Sequence, residues 1–579
     1  MLLPPSALNR FQEYNDSPAS SRRSSWSTDA GTTDHLNPFG GVYNNNSTQS
    51  FGTRNLEPQA MKSISEKFSI LPSTAGLIMD PAEKEPDDDL HDPDVDEEKE
   101  RGCDVFTKRG AVNVGGLALL TVGVLVLFIG YPVITFVRDT IRSDNLEECE
   151  GPLCLDVGDV PLLKNYRREL VDPDTPEDAM WKESADGKKY KLVFSDEFNE
   201  DGRTFYPGED PYWEGVDIHY AATQDLEWYD PDAITTKDGV LEITFDAHSN
   251  HNLDYRSGML QSWNKLCFKG GILEASISLP GRGDISGLWP GFWTMGNLGR
   301  PGYLATTEGM WPYTYHDKCD AGITANQSSP DGISFLPGMK LPACTCSNED
   351  HPSRGKSRSA PEIDALEASV GPIDDAKKNI VGSVSQSAQV APFDIWYQPN
   401  YDQIEVYDPK ITTMNNYRGG VFQQALSGLS VLNNDWYDGK QYQKYGFEYE
   451  PGEEGMIIWN VGDEKTWRME AAATGPNGNV GARPVPQEPM TVIVNCGISN
   501  SFAAVEIAKL AKIMPAKMRI DWIRVWQDPE KQSVTCDPEG YPTTRYIMDH
   551  PEPYRNPNLT SWEDTGFDWP KNELVDGCD

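Results

Sequence analysis

Glu362-Ile363-Asp364-Ala365-Leu366-Glu367 gathers three carboxylates into six residues, about seventy residues after Gly287-Leu288-Trp289-Pro290-Gly291-Phe292-Trp293. Carboxylates held that close resist ionising together, so a fold that collects them needs a reason. Cleaving a glycosidic bond supplies one. One carboxylic acid protonates the leaving oxygen, and one carboxylate attacks the anomeric carbon or activates water. Tryptophans nearby offer flat apolar faces for sugar rings. Trp289 and Trp293, four residues apart, would share a strand face and are candidates to line such a cleft; Trp263 and Trp396 are further aromatic candidates, though core packing suits them better.

Such chemistry sets a demand on the backbone. On a strand, Glu362 and Asp364 share a face, but Glu367, five positions from Glu362, falls on the opposite one. One β-bulge among Ala365, Leu366 and Glu367 returns all three acids to one side, and bulges are common beside active sites. The two glutamates would then face each other across roughly 5–5.5 Å, the spacing of retaining enzymes. The competing reading is an acidic helix face with Ile363 and Leu366 packing inward.

Fifty basic against ninety acidic residues in 579 give a net charge of −40, which argues against nucleic acid as a partner. From Gly110 to Val137 there is no charged residue, a run long enough to cross a bilayer. Lys99, Arg101, Lys108 and Arg109 precede it closely while only Arg138 and Arg142 follow closely. The positive-inside rule then leaves the N-terminus cytosolic and the rest luminal or extracellular. The expectation is a single-pass type II membrane protein of the endoplasmic reticulum, Golgi or plasma membrane. Its expected parts are a disordered cytosolic tail (1–109), a signal-anchor (110–137), a luminal stem (138–188), a strand-rich domain (189–530) and a Cys-containing extension (531–579).

The tail's Ser, Asn, Pro and acids cannot bury enough surface to order it. Its run Ser20-Ser21-Arg22-Arg23-Ser24-Ser25 suggests kinases or trafficking proteins as cytosolic partners. Nine of the ten cysteines follow the apolar run, where disulfides form. Cys149 with Cys154 and Cys536 with Cys578 are plausible bridges. Cys319, Cys344 and Cys346 read better as disulfide partners than as zinc ligands, since no second CxxC-type pair accompanies them. Asn326 and Asn558 head luminal glycosylation sequons; Asn15, Asn45 and Asn46 head sequons on the cytosolic side. Past Lys189, short strand-like segments such as Tyr190–Ser195, Gly271–Leu279 and Met518–Trp526 indicate an all-β sandwich or barrel.

Taken in order, LVFSDEFN (192–199), YRSGMLQSWNKLCFKGGILEASISLPG (255–281), GLWPGFWTMG (287–296), EIDALE (362–367), PMTVIVNCGIS (489–499) and MRIDWIRVWQ (518–527) resemble family 16 of the glycoside hydrolases. The resemblance implies a concanavalin A-like jelly-roll β-sandwich with a sugar cleft. It also implies Glu362 as nucleophile, Glu367 as general acid/base and Asp364 as assisting carboxylate. The long insert from Arg300 to Ala360, the phrase SQSAQVAPFDIWYQPNYDQIEVYD and the tail WPKNELVDGCD are similar to fungal type II membrane proteins associated with β-1,6-glucan synthesis. β-Glucan chains are then the expected partner, for a retaining hydrolase or transglycosidase of the cell wall, or alternatively for a non-catalytic glucan-binding chaperone or scaffold. No cofactor is implied, and a structural calcium ion on the sandwich is left open. Two departures stand out: Pro361 precedes the first catalytic Glu where Gly is common, and Ser385-Gln386-Ser387 stands where a cleft histidine is often found.

Overall fold

The structure, a computed structural model, describes residues 108–131 and 133, 167, 169–324, 335–373, 379–391, 399–420, 423–476 and 480–578. The expected cytosolic tail and most of the stem, with Cys149 and Cys154, lie outside these residues, as do Asn326 and Trp396. Two compact units divide the chain, residues 20–148 and a second running from Cys149 to the C-terminus.

In the first unit an α-helix, Lys108–Leu125, continues into a π-helical turn, Val126–Gly130. Leu117, Leu119, Leu120, Phe128 and Ile129 are exposed on it. Among the described residues, no helix is long and apolar enough to cross a membrane.

The second unit is a jelly-roll-like β-sandwich of a ten-stranded and a nine-stranded sheet, so far as the described residues go. The nine-stranded sheet carries the acids. The acid strand, Glu362–Pro372, lies between Leu288–Gly296, the tryptophan strand, and Ile380–Val390. Outward from these lie Gln424–Val431 on one side and Met490–Ile498 on the other, all antiparallel. Between the sheets, Ile363, Ala365 and Leu366 pack with Phe292, Val384, Leu426, Phe447 and Val494. Trp459 and Trp467 of the back sheet stack at 4.0 Å in the same core. Gly428 is what lets Trp467 in, since a Cβ there would meet its Cδ1 at 2.4 Å.

The sandwich extends beyond the limits set by sequence composition. Leu170 is buried in its core and Trp181–Glu183 pairs with Lys189–Asp196, so packing starts ahead of Lys189. The expected Cys536–Cys578 bridge is corrected: Cys536 pairs with Cys267 and Cys578 with Cys346, while Cys319 pairs with Cys344. Backbone bonds explain the exchange. Cys346 donates to Lys571 O and Glu573 to Cys344 O, which lays the C-terminal segment along the insert. Cys496 is buried with a free thiol.

Candidate active site

The register of the acid strand settles how three acids share one face. Against the tryptophan strand, Trp293 opposes Asp364 but Phe292 opposes Leu366, so one residue is extra. The same shift appears on the other side, where Asp364 opposes Ser387 and Glu367 opposes Ser385. This is the bulge the spacing requires, at Ala365–Leu366. Both of its apolar side chains turn into the core with Ile363, while Glu362, Asp364 and Glu367 turn out of it. The helical alternative is thereby excluded.

A bulge releases carbonyls from the ladder, and the core supplies their donors. Gln386 Nε2 donates to Ala365 O at 2.9 Å, and Trp459 Nε1 donates to Asp364 O at 2.9 Å. Gln386 is itself fixed by Thr466 Oγ1 on its Oε1 at 2.7 Å. The glutamine and tryptophan clamp the kinked backbone from below.

Above it, each acid has different company. Trp311, from the insert, donates its indole N–H to Glu362 Oε2. Trp289 donates to Glu367 Oε1 at 3.3 Å. Asp364 Oδ2 accepts from Ser387 Oγ at 3.0 Å and Gln389 Nε2 at 2.9 Å. Ser387 Oγ is also 3.2 Å from Glu367 Oε2. It has one proton, so when it donates to Asp364 it can accept from a protonated Glu367.

Burial pushes Glu362 up to about 8, helped by the charge of Glu367 and opposed by the Trp311 bond. Burial likewise takes Glu367 up to about 8, with the charge of Asp364 adding and the Ser387 and Trp289 bonds subtracting. Asp364 is driven well above the usual carboxylate range by burial and then by Glu362. The hydrogen bond between Asp364 and Glu362 raises the aspartate and lowers the glutamate. Glu362 and Glu367 are raised alike, each against two hydrogen bonds, so the three buried carboxyls resist ionising together.

Trp293 sits on the same face as Asp364, half-buried, its Nε1 donating to Asn495 Oδ1 at 2.8 Å. Gly291, opposite Glu367 and Asn495, leaves the floor open: a Cβ there would meet Asn495 Oδ1 at 2.6 Å. Trp289 stacks on Phe502 at 4.1 Å, so one of its faces is covered. Tyr220 and Tyr417 add hydroxyls that burial and the charges of Glu362 and Glu367, respectively, push upward.

Trp263 is not brought to this site. It packs against Tyr554 (5.5 Å) and under the Arg300 guanidinium (4.5 Å), bonding Asn297 O, and so joins the sandwich to the C-terminal extension. Asn558 is exposed. For a cation, the acid, His and Cys grouping found among the described residues is Cys319, Cys344 and Glu573. Its two sulfurs are tied in a disulfide, which does not fit the oxygen ligands calcium takes. Sequence reasoning missed Trp311, Gln389 and Asn495, while Ser387 was singled out only as standing where a cleft histidine is often found.

The unit is thus a jelly-roll β-sandwich protein that presents a carboxylate trio from a bulged strand beneath indole N–H groups. The chain belongs to the family described as beta-glucan synthesis-associated protein SKN1/KRE6/Sbg1, which it matches over residues 77–578. It is 52% identical over 518 residues to beta-glucan synthesis-associated protein KRE6 of Saccharomyces cerevisiae, covering 87% of this chain and 70% of that one. To SKN1 of Candida albicans it is 50% identical over 508 residues, 86% and 67% of the two chains. Among solved structures, a non-specific endo-beta-1,3(4)-glucanase from family GH16 aligns at 15% identity and TM-score 0.35, over 60% of this chain and 97% of that one. The laminarinase from Rhodothermus marinus aligns at 19% identity and TM-score 0.34, over 58% and 97%.

Proposed function

We propose that this protein is a retaining β-glucan hydrolase or transglycosidase, acting on cell-wall glucan, β-1,6-linked glucan first among the candidates. The observation that carries this reading is the bulge, which turns Glu362, Asp364 and Glu367 to one side with unlike hydrogen-bond partners. Glu362 attacks the anomeric carbon and displaces the leaving sugar, which takes its proton from Glu367. Glu367 then deprotonates water or an acceptor sugar hydroxyl, whose oxygen displaces Glu362 and restores the enzyme. Asp364 keeps its proton and stabilises the charged nucleophile before attack. The names of the relatives support β-glucan as the polymer.

The same reading places the sandwich on the luminal side of a type II signal-anchor. The exposed leucines and phenylalanine of the helix Lys108–Leu125 and the turn after it support this, as do the basic residues ahead of them. A second reading, a non-catalytic glucan-holding chaperone, draws on Trp311, which already occupies Glu362.

The deciding experiment incubates the full-length protein with β-1,3- and β-1,6-linked gluco-oligosaccharides and analyses the products. Turnover lost in Glu362→Gln, together with loss of wall-glucan rescue in a deficient fungus, is expected. Full rescue by Glu362→Gln would reject catalysis as the biological role and leave the chaperone.

A further inference from the structure

A second pair of carboxyl groups lies on the same sheet face as the trio, two strands away. Asp225 and Glu227 are 5% and 0% exposed, and both pack over Gly497, the residue opposite Trp289. A Cβ at Gly497 would meet Glu227 Oε1 at 2.6 Å and Tyr229 OH at 2.9 Å, so the glycine is what admits the pair. Glu227 Oε2 accepts the Ile498 N–H at 3.0 Å. Glu227 Oε1 is buried with no donor on it. An oxygen in that state beside a second carboxyl carries the proton the two groups share.

From this pair a chain of hydrogen bonds runs to the cleft, and its direction is dictated at every step. An indole N–H can only donate, so Trp293 Nε1 fixes Asn495 with Oδ1 toward it, at 2.8 Å. That turns Asn495 Nδ2 to Tyr229 OH, at 3.0 Å. Tyr229, having accepted, donates to Asp225 Oδ2 at 3.0 Å. Thr223 Oγ1 donates to Asp225 Oδ1 at 2.7 Å. The chain ends on an acceptor, as its polarity requires.

We propose that Asp225 and Tyr229 are positioning residues that set the plane of the Trp293 indole through Asn495, and thereby how tightly the cleft holds a glucan chain. This rests on the reading that the cleft takes glucan, but not on turnover. A ring locked in plane meets the sugar without losing rotamer freedom on binding. Nothing in the bond-breaking step touches these residues.

The test measures binding of β-1,3- and β-1,6-linked glucohexaose to the full-length protein by calorimetry, with kcat and KM measured alongside. Tyr229→Phe removes the hydroxyl alone. It is expected to raise Kd and KM about tenfold, one net hydrogen bond's worth, with kcat within twofold. Asp225→Ala should match it, whereas Asp225→Asn, which keeps an acceptor for Tyr229, should stay within threefold of wild type. If Tyr229→Phe does not fold, Asn495→Asp reads the same link, keeping the acceptor for Trp293 but losing the N–H to Tyr229. Loosened binding in a protein that never turns over would uphold this inference while rejecting catalysis. Wild-type Kd in both Tyr229→Phe and Asp225→Ala would overturn it, as would Asp225→Asn being as weak as Asp225→Ala. Failure of the wild type to bind either hexaose overturns it as well.

Discussion

Trp311 donates its indole N–H to Glu362 from 51 residues away in sequence, reaching over the acid strand from the disulfide-bonded insert. The insert therefore contributes to the site rather than merely decorating the sandwich. Met310, Leu341 and Ala360 of the insert share one buried cluster with Met295 of the floor and with Tyr546 and Trp562 of the C-terminal extension.

Trp311→Phe should move the pH dependence of turnover. The bond opposes the burial that takes Glu362 to about 8, so removing it raises that carboxyl further and less of it is ionised at neutral pH. The acidic limb of kcat/KM against pH is expected to shift upward by about one unit, with activity at pH 7 down several-fold. A limb that stays in place would mean that Trp311 does not tune Glu362.

Glu367→Gln should stabilise the fold while removing activity. Glu367 titrates at about 8 in the folded protein, above its value in the unfolded chain, so the folded state binds more protons between those limits. Its contribution to stability is therefore fully present below about pH 4.5 and is lost as pH rises through about 8. A neutral glutamine escapes that loss. At pH 8.5 the variant is expected to melt a few degrees above wild type, and at pH 4.5 to match it, by differential scanning calorimetry.

Gln386→Leu tests the clamp under the bulge. It strips the donor from Ala365 O and from Asn460 O, both at 2.9 Å. A buried carbonyl left without a partner costs about 1–3 kcal/mol. Urea unfolding should show that loss. Turnover should fall further than the same loss at a distant core position would lower it, because the bulge sets where Glu367 points.

Cys496 is fully buried, and burial holds its thiol well above the usual range. It should resist alkylation in the native protein and react after unfolding. Peptide mapping without reduction should find Cys267 joined to Cys536 and Cys346 to Cys578.

The acids were legible because chemistry and periodicity conflict at them. Three carboxylates at positions 362, 364 and 367 fit one face only with an extra residue, and that forced the bulge into view. The strands were legible from short apolar and β-branched runs; Met490–Ile498 is buried on both faces, which is why its run is nearly continuous rather than alternating. Trp311 was not legible. Nothing in the insert's own pattern says which of its aromatics reaches the cleft, because that depends on its disulfides and on the C-terminal segment laid beside it. The cysteine pairing failed for the same cause, since nearness along the chain is a poor guide when two distant segments hydrogen-bond. Trp263 packs between Arg300 and Tyr554, in keeping with the packing role that suited it better than the cleft.

The central claim is that Glu362 attacks sugar from the bulged strand. A 2-deoxy-2-fluoro-glucosyl reagent with a good leaving group, incubated with the full-length protein and followed by peptide mass analysis, tests it most directly. A fluoroglucosyl adduct on Glu362, absent from Glu362→Gln, is the result expected. An adduct on another residue, or none under conditions where oligosaccharide is being cleaved, would contradict it.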